Sequence, residues 1–126
     1  MIKQIIVMRT DLRNVQGQKV RTGKLISQAC HASIMFLSNH LRKNDSLTSE
    51  EKEWIDGIFT KIVVGIDSEQ QLRDLMDKAR LAGLVVHEVI DSGNTEFNKI
   101  PTLTCAAFGP HEESRFVGIT SDLKLL

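Results

Sequence analysis

Three polar residues recur at the spacing of one helix face near the start of the chain: Lys24, Gln28 and His31. Side chains three or four positions apart lie side by side on a helix, so these three form one polar row. A cation, an amide and an imidazole in a row can bind an anion or hold a reacting group in place. The neighbouring residues are apolar, which predicts that the helix packs against the rest of the protein and holds the polar row rigidly. These neighbours are Leu25, Ile26, Ala29, Cys30, Ala32 and Ile34.

Further groups capable of chemistry are expected at one edge of a sheet. Asp91 ends a predicted strand and is followed by a polar turn that contains Thr95, and Thr104 opens the next strand. Ligands of open α/β sheets bind beyond the carboxyl ends of the parallel strands. We therefore expect these three residues to share one cleft with Lys24 and Gln28.

This set of groups suits hydrolysis or transfer at an ester. Asp91 is a candidate general base, a candidate for orienting a water, or a partner that holds Lys24 in place. Lys24, together with the free N–H groups of a helix start, can hold a phosphate or stabilise an oxyanion. Thr95 and Thr104 can donate hydrogen bonds. No serine or cysteine has an evident base partner, which argues against a covalent intermediate.

The same residues also have purely structural interpretations. Lys24 and Gln28 would then be surface residues, and residues 91–93 an ordinary turn. His31, amid apolar neighbours, is interpreted as a hydrogen-bonded core histidine rather than a catalyst. The histidines and the two cysteines lack metal-ligand spacing, and the glycines do not form a phosphate-binding loop. The sequence therefore predicts no metal and no cofactor.

Basic residues are concentrated at the start of a chain that is neutral overall. The protein has 16 Lys and Arg against 16 Asp and Glu, yet residues 1–24 contain six basic side chains and one acidic one. Such a region is a candidate for contact with phosphate groups. A solvated surface with surplus charge is the structural alternative. The candidate substrate-binding residues in this region are Arg9, Arg13, Lys19 and Arg21.

Length and composition bound the class of protein. A chain of 126 residues with 41% hydrophobic and 25% charged residues predicts one globular domain over residues 1–126. No segment is long and apolar enough for a membrane span, and the N-terminus lacks the pattern of a signal peptide. Cys30 and Cys105 lie in apolar surroundings, which predicts two buried free thiols in a reducing compartment, the cytoplasm.

Alternating strand and helix patterns predict an α/β fold. Helices between the first three strands predict that these run parallel, and the irregular turn before the fourth predicts an antiparallel strand. Gly109 and Pro110 are expected to break that fourth strand, and a short final helix follows. The predicted strands cover residues 3–8, 61–66, 84–91 and 104–108, and the long helix covers 23–43. The predicted helix caps are Thr22, the pair Thr48 and Glu51, and the pair Ser68 and Gln71.

Five motifs in a fixed order give the chain a family resemblance. They are Arg9-Thr10-Asp11-Leu12 after the first strand; Gly23-Lys24, Gln28 and His31-Ala32; Asp91-Ser92-Gly93-Asn94-Thr95; Thr104 with Gly109-Pro110; and residues 120–126. In these motifs the chain resembles the archaeal and eukaryotic type of peptidyl-tRNA hydrolase, which also occurs in some bacteria. The resemblance spans almost the whole chain and is least distinctive in its middle.

The resemblance implies a three-layer α/β/α sandwich around a four-stranded mixed sheet with one antiparallel strand, often in a homodimer. It implies hydrolysis, without a metal, of the ester that joins a peptide to the 3′ ribose of tRNA. Peptidyl-tRNA is then the expected partner. By the same resemblance the catalytic residues are Lys24, Asp91, Thr95 and Thr104, with Gln28 binding substrate.

Three segments depart from the family pattern. Residues 13–22 make a longer loop than is usual, and its basic side chains are candidates for phosphate contacts that position a nucleic acid without specifying its sequence. The family's D-A-G is Asp-Ser-Gly here, and residues 96–103 lack the usual I-A-P-G-S. Two alternatives to the hydrolase therefore stay open. One is a non-catalytic relative that binds RNA or a protein, and the other is a hydrolase of small acyl esters with the same fold.

Overall fold

The computed structural model describes all 126 residues. Strands and helices alternate along the chain, as the sequence patterns predict. None of the helices combines the length and the apolar character that crossing a bilayer requires. In chain order the elements are β1 (Ile2–Arg9), α1 (Thr22–Lys43), α2 (Ser49–Asp56), β2 (Lys61–Ile66), α3 (Glu69–Leu81), β3 (Val86–Asp91) and β4 (Thr102–Glu112), with a final 3₁₀ helix at Glu113–Phe116.

The four strands form one mixed sheet in the order β2-β1-β4-β3. β1 pairs parallel with β2, and β4 pairs antiparallel with both β1 and β3. Three strands therefore share one direction and only β4 is reversed, which confirms the predicted single antiparallel strand. The carboxyl ends of β1, β2 and β3 consequently lie at one edge of the sheet, together with the start of β4.

Alternate residues of β1 fill two cores, one on each face of the sheet. Ile5 packs with Leu72 of α3, whereas Ile6 packs with Ala32 of α1. α2 lies on the α1 side, where the ring of Trp54 meets a phenylalanine of α1 edge-on at 5.8 Å between centroids. Helices therefore cover both faces, which confirms the predicted three-layer sandwich.

β4 continues through Gly109 and Pro110, so the prediction that this pair breaks the strand is wrong. The register against β1 shifts between Lys3 and Ile5. This irregularity lies opposite Pro110, at a point where the pairing between β1 and β4 does not require a backbone N–H from β4. Gly109 still donates its N–H to Val85 O at 2.9 Å, so the strand keeps its pairing with the β3 side.

Two of the predicted helix caps are present. The Thr48 hydroxyl accepts from the Glu51 N–H, and the Glu51 carboxylate accepts from the Thr48 N–H, which completes a capping box. Ser68 accepts from the Gln71 N–H in the same way. The Gln71 side chain, however, accepts from the N–H of Asp67 rather than that of Ser68. This second cap therefore lacks the reciprocal half of the predicted box.

The start of α1 differs from the prediction. The helix begins at Thr22, so Thr22 is its first residue and not its cap. Arg21 occupies the cap position without a capping bond from its side chain, and the first turn contains no acidic residue. The first N–H groups of a helix have no partner within the helix. α1 therefore depends on groups from outside itself to compensate its N-terminus.

The outer face of α1 is more exposed than its apolar sequence predicts. The buried residues of the helix recur at every fourth position, which makes a narrow contact stripe: Gln28, Ala32 and Phe36. Cys30 and His31 lie outside this stripe and are exposed. The prediction of a buried thiol is therefore wrong for Cys30 and confirmed for Cys105, and both cysteines are free. The interpretation of His31 as a core histidine is wrong.

The last turn of α1 is tied to the acidic segment that follows it. His40 Nε2 lies 2.9 Å from Glu51 Oε1, and His40 Nδ1 contacts Asp45 Oδ1. The hydrogen bond with Asp45, with further help from the charge of Glu51, outweighs desolvation and raises the pKa of His40 above its ordinary 6.5. The imidazolium therefore joins the end of α1 to α2.

We expect His40 to stabilise the protein most below pH 6.5. Because the folded pKa is the higher one, this contribution is complete below the unfolded pKa and disappears as the pH rises through the folded value. His40→Gln should therefore lower the free energy of unfolding more at about pH 6 than at about pH 9, as measured by urea denaturation. Ser27→Ala, an exposed change on the same helix that removes no titratable group, should show no such difference. Equal losses for His40→Gln at both pH values would contradict the ion pair.

Candidate active site

A lysine from α1 and an aspartate from β3 form an ion pair at the predicted edge of the sheet. Lys24 Nζ lies 2.8 Å from Asp91 Oδ1 and 3.0 Å from Thr95 Oγ1. Gln28, one turn further along α1, places its Nε2 3.3 Å from the same carboxylate oxygen. Two members of the predicted polar row therefore meet the β3 aspartate, whereas the third, His31, is exposed to solvent.

Thr104 reaches this cluster because β4 carries a bulge. The register against β3 shifts between Val89 and Ile90, which leaves Thr104 as an extra residue on β4. Both Thr104 and its neighbour Cys105 contact Gln28: the threonine hydroxyl donates to Gln28 Oε1 at 2.7 Å, and the thiol lies 3.5 Å from Gln28 O. Strict alternation would have pointed one of these two neighbours to the opposite face of the sheet.

The cluster extends from the protein interior to its surface. Thr104 and Gln28 are 0% and 2% exposed. The side chains of Lys24 and Asp91 are 12% and 10% exposed, and Thr95 is exposed. A molecule that arrives from solvent can therefore meet the ion pair and the Thr95 hydroxyl, whereas Thr104 acts on the pair from beneath, through Gln28.

Asp91 is held in its ionised form. Partial burial disfavours its charge, but hydrogen bonds from Lys24 Nζ and from the Gly93 N–H at 2.9 Å outweigh this, so the pKa of Asp91 lies below its ordinary 3.8. Oδ1 faces both Lys24 and Gln28, whereas Oδ2 accepts only from Gly93. The second oxygen therefore retains a lone pair for another donor, such as a water.

The turn after Asp91 requires a glycine at position 93. Gly93 has φ +84°, and a Cβ there would lie 2.6 Å from the backbone N and O of Ile100. The Lys99 N–H donates to Gly93 O at 2.7 Å and closes the turn. This tight return of the chain brings Thr95 against the first turn of α1.

These groups can polarise an ester and orient a water. The ammonium of Lys24 is placed to stabilise negative charge on an oxygen, and the Asp91 carboxylate to accept a hydrogen bond. Burial raises the pKa of the Cys105 thiol to about 11, so this sulfur stays protonated at neutral pH and is not an activated nucleophile. No group of three or more His, Cys, Asp and Glu side chains is arranged to hold a metal ion.

Comparison with known protein families assigns the chain. The family model described as peptidyl-tRNA hydrolase PTH2 matches residues 2–126. The chain belongs to this family. The matched range contains both α1 and the β3–β4 turn, the two segments that build the cluster, and it confirms the resemblance that the five motifs indicate.

Curated relatives in the peptidyl-tRNA hydrolase family match over the whole chain. A peptidyl-tRNA hydrolase of Methanocaldococcus jannaschii is 34% identical over 125 residues, covering 99% of this chain and 100% of the relative. One of Methanococcus maripaludis is 35% identical over 127 residues and covers 100% of both chains. A probable peptidyl-tRNA hydrolase 2 of Dictyostelium discoideum is 34% identical over 98% of this chain, which corresponds to 54% of that longer protein.

The basic residues expected to bind substrate in this family member lie outside the cluster and fall into two groups. Arg13 and Lys19 face each other across a small hairpin within the loop after β1, and both are exposed. Arg9 instead donates from Nε and Nη2 to both oxygens of Asp11, and from Nη1 to Leu103 O at 2.9 Å. Arg13 and Lys19 are therefore accessible to solvent, whereas Arg9 links the end of β1 to β4.

Two residues of the site follow Thr95 directly and are absent from the sequence-based candidates. Glu96 Oε1 accepts a hydrogen bond from Arg21 Nε at 2.6 Å. Arg21, the last of the basic residues expected to bind substrate, is therefore paired with an acidic residue of the site. Phe97 is buried, and Lys24 Nζ lies 5.9 Å from the centre of its ring, within range of a cation–π interaction. The signal available in the sequence is an acidic and an aromatic residue placed immediately after a site threonine.

The largest cavity of this family member lies on the other flank of α1. It measures about 970 Å³ and is lined mostly by apolar side chains of α1, α2, β1 and β2, together with Leu126. Neither Lys24 nor Asp91 lines it. The ion pair therefore lies outside this cavity, at the end of the sheet.

Proposed function

We propose that this protein is a peptidyl-tRNA hydrolase, which cleaves the ester between the peptide and the 3′ ribose of peptidyl-tRNA. The observation that carries the proposal is the Lys24–Asp91 pair beside Thr95 at the edge of the sheet. The names of the archaeal relatives support the same activity. Because the products are a free peptide and a reusable tRNA, we place the protein in translation, in the cytoplasm, with residues 1–126 forming one hydrolase domain.

Asp91 and Lys24 are proposed to divide the work of hydrolysis. Water adds to the carbonyl carbon, and the ribose oxygen then leaves with a proton. Asp91 Oδ2 accepts a hydrogen of the attacking water and orients it. With its pKa held low, this carboxylate is a weak base that aligns the water rather than removing its proton early. Lys24 Nζ stabilises the negative charge that develops on the carbonyl oxygen.

The two threonines are proposed to have different roles. Thr95 is exposed and 3.0 Å from Lys24 Nζ, so its hydroxyl can meet the substrate directly. Thr104 is fully buried and donates to Gln28, whose amide then faces Asp91. Thr104 and Gln28 are therefore positioning residues that hold the carboxylate, and the sequence-based assignments of Thr104 to catalysis and Gln28 to substrate binding are refined accordingly.

The exposed hairpin pair, Arg13 and Lys19, is proposed to contact the phosphate backbone of tRNA. Arg21 is 74% exposed and keeps part of its guanidinium available beside them. These charges lie on the loop that leads from β1 into α1, so they flank the approach to Lys24. Phosphate contacts of this kind add affinity and fix orientation without reading sequence.

Removing the hairpin charges should weaken the salt dependence of tRNA binding. For Arg13→Ala combined with Lys19→Ala, we expect the slope of log affinity against log salt concentration to fall by about 2, one for each lost phosphate contact. The measurement is fluorescence titration of labelled tRNA at several salt concentrations. Arg42→Ala with Lys43→Ala, at the far end of α1, is the matched control. An unchanged slope in the hairpin variant would remove these residues from the interface.

Hydrolysis itself is tested with purified protein and N-acetyl-aminoacyl-tRNA. We expect release of the N-acetyl amino acid together with intact tRNA. No release above the buffer rate would overturn the proposed function. Equal activity on a short N-acyl-aminoacyl-adenosine would instead favour a hydrolase of small acyl esters, and tight tRNA binding without turnover would favour a non-catalytic relative.

We further propose that the protein forms a homodimer. Exposed apolar side chains border the cavity beside α1, including Ile26 at 59%, Ile34 at 57% and Leu126 at 61% exposure. Contiguous apolar surface of this kind is typical of an interaction site. Sedimentation velocity at enzyme-assay and higher concentrations measures the association, and a monomer throughout that range would overturn this part of the proposal.

A further inference from the structure

The N-terminus of α1 receives its compensation from the β3–β4 turn. Glu96 of that turn accepts from Arg21 Nε at 2.6 Å, and its other oxygen lies 3.4 Å from the Arg21 backbone N–H, at the cap position of the helix. A carboxylate at a helix N-terminus interacts favourably with the helix dipole. α1 has no capping side chain and no acid in its first turn, so Glu96 supplies from a distant segment what the helix lacks.

Burial distinguishes this contact from an ordinary surface ion pair. The Glu96 side chain is only 10% exposed, whereas that of Arg21 is 74% exposed. An exposed pair of long side chains contributes little because both lose conformational freedom. Here the acidic partner is already fixed in the turn, and its removal would leave the backbone N–H and the guanidinium of Arg21, at the cap position of α1, without this partner.

The contact lies next to the proposed catalytic groups on both segments. Thr95 directly precedes Glu96, and Lys24 lies three residues after Arg21. Thr95 Oγ1 and Lys24 Nζ are 3.0 Å apart. On the other side of Glu96, Phe97 is buried with its ring 5.9 Å from Lys24 Nζ. Three consecutive turn residues therefore contact the first turn of the catalytic helix, with Glu96 in the middle.

We propose that Glu96 is a positioning residue for ester hydrolysis, which clasps the β3–β4 turn to the N-terminus of α1 and so holds Thr95 and Lys24 on Asp91. The proposal rests on the proposed function. Glu96 acts through Lys24 and Thr95 and does not touch the substrate. Misplacement of a reacting group by about 1 Å can cost about 100-fold in rate, so a clasp at this location has a measurable effect.

The test compares Glu96→Ala with Glu96→Gln in hydrolysis of N-acetyl-aminoacyl-tRNA. We expect Glu96→Ala to lower kcat by about 10-fold to 100-fold with little change in KM. Glu96→Gln keeps an oxygen that can accept from Arg21 Nε and should retain more activity. Glu53→Ala, which removes an exposed carboxylate from α2, is the matched control and should leave kcat unchanged. A Glu96→Ala variant with kcat within about twofold of the unmodified protein would overturn the proposal.

A second readout separates positioning from stability and does not depend on turnover. The carboxyl carbon of Asp91, followed by NMR titration, should show a higher midpoint in Glu96→Ala than in Glu96→Gln, because both variants lack the charge of Glu96 and only the alanine loses the contact that keeps Lys24 on the carboxylate. Equal midpoints in the two variants would overturn the proposal even if kcat fell. Should Glu96→Ala fail to fold, Glu96→Ser, which also lacks the charge and the reach to Arg21, replaces it in both measurements. If the unmodified protein lacks hydrolysis, the proposed function fails, and the Asp91 titration still tests the clasp.

Discussion

Substituting Lys24→Met is expected to lower kcat for peptidyl-tRNA hydrolysis by about 100-fold to 1,000-fold, the usual cost of removing one donor that stabilises an oxyanion. Lys24 is the cation that contacts Asp91, and its ammonium lies within 3.0 Å of Thr95 as well. Methionine has a similar length and apolar stem, so it fills the space over Phe97 without supplying charge or hydrogen bonds. The measurement is the single-turnover rate on N-acetyl-aminoacyl-tRNA at saturating enzyme.

The control for this variant is Lys43→Met, at the opposite end of the same helix. Lys43 is exposed and far from the cluster, so its replacement removes the same charge from α1 without touching the site. We expect its rate to equal that of the unmodified protein. A Lys24→Met rate within about threefold of the control would remove the ammonium from transition-state stabilisation. Thermal unfolding of both variants shows whether a lost rate reflects lost structure.

Much of the fold follows from local signals in the sequence. Short β-branched runs mark β1 and β2, and the alternation of Ile5 and Ile6 between two cores follows from the pleat of a strand. β4 is the exception, because its length depends on its neighbours. Pro110 is tolerated where the register against β1 shifts, and such a shift is a property of two strands together. A propensity argument applied to one strand therefore ends β4 too early.

Which residues meet in this cluster can also be predicted from the sequence, but the geometry of the cluster cannot. Helical spacing correctly places Lys24 and Gln28 on one face, and the rule for strand ends correctly brings them to Asp91. The side-chain direction of Thr104 depends on a bulge that no residue pattern announces. Likewise, the fit of Glu96 to the start of α1 is a contact between segments 75 positions apart, which only the folded chain defines.

The misassigned residues of α1 share one physical cause. An apolar sequence predicts burial on average, yet the contact stripe of this helix is narrow and leaves Ile34 and Cys30 exposed. The same neighbours predict a core position for His31, although it lies on the same exposed side. The apolar surface that remains is the one proposed to be covered in the homodimer. Side chains that a partner subunit covers and side chains that a core buries are both apolar, so composition does not distinguish them.

Substituting Asp91→Asn is expected to lower kcat by about 100-fold, the cost of misplacing a reacting group, because the attacking water loses the carboxylate that aligns it. The amide can still accept from the Gly93 N–H, so the turn is retained. It cannot neutralise Lys24, and it offers the attacking water a weaker acceptor. Asp67→Asn is the matched control, because Asp67 follows directly after β2 at the same edge of the sheet and is exposed. Its rate should be unchanged.

The pH dependence provides a separate check on the role of Asp91. Since its pKa lies below 3.8 in the folded protein, the carboxylate is ionised throughout the neutral and mildly acidic range. Its protonation should therefore produce no fall in kcat until the pH drops below that value. The ion pair would be contradicted if kcat fell at acidic pH with a midpoint above 3.8 and if this fall were absent in Asp91→Asn.

Combining Lys24→Met with Asp91→Asn distinguishes one catalytic unit from two independent contributors. If Asp91 works partly by holding Lys24, removing the aspartate already costs part of what the lysine supplies. The double variant should then be about as slow as the slower single variant, the non-additivity expected of groups that act together. If the loss in the double variant instead equalled the product of the two single losses, Asp91 would orient the water and Lys24 would stabilise the oxyanion independently of each other. The proposed division of labour would stand, and the 2.8 Å contact between them would lose its catalytic role.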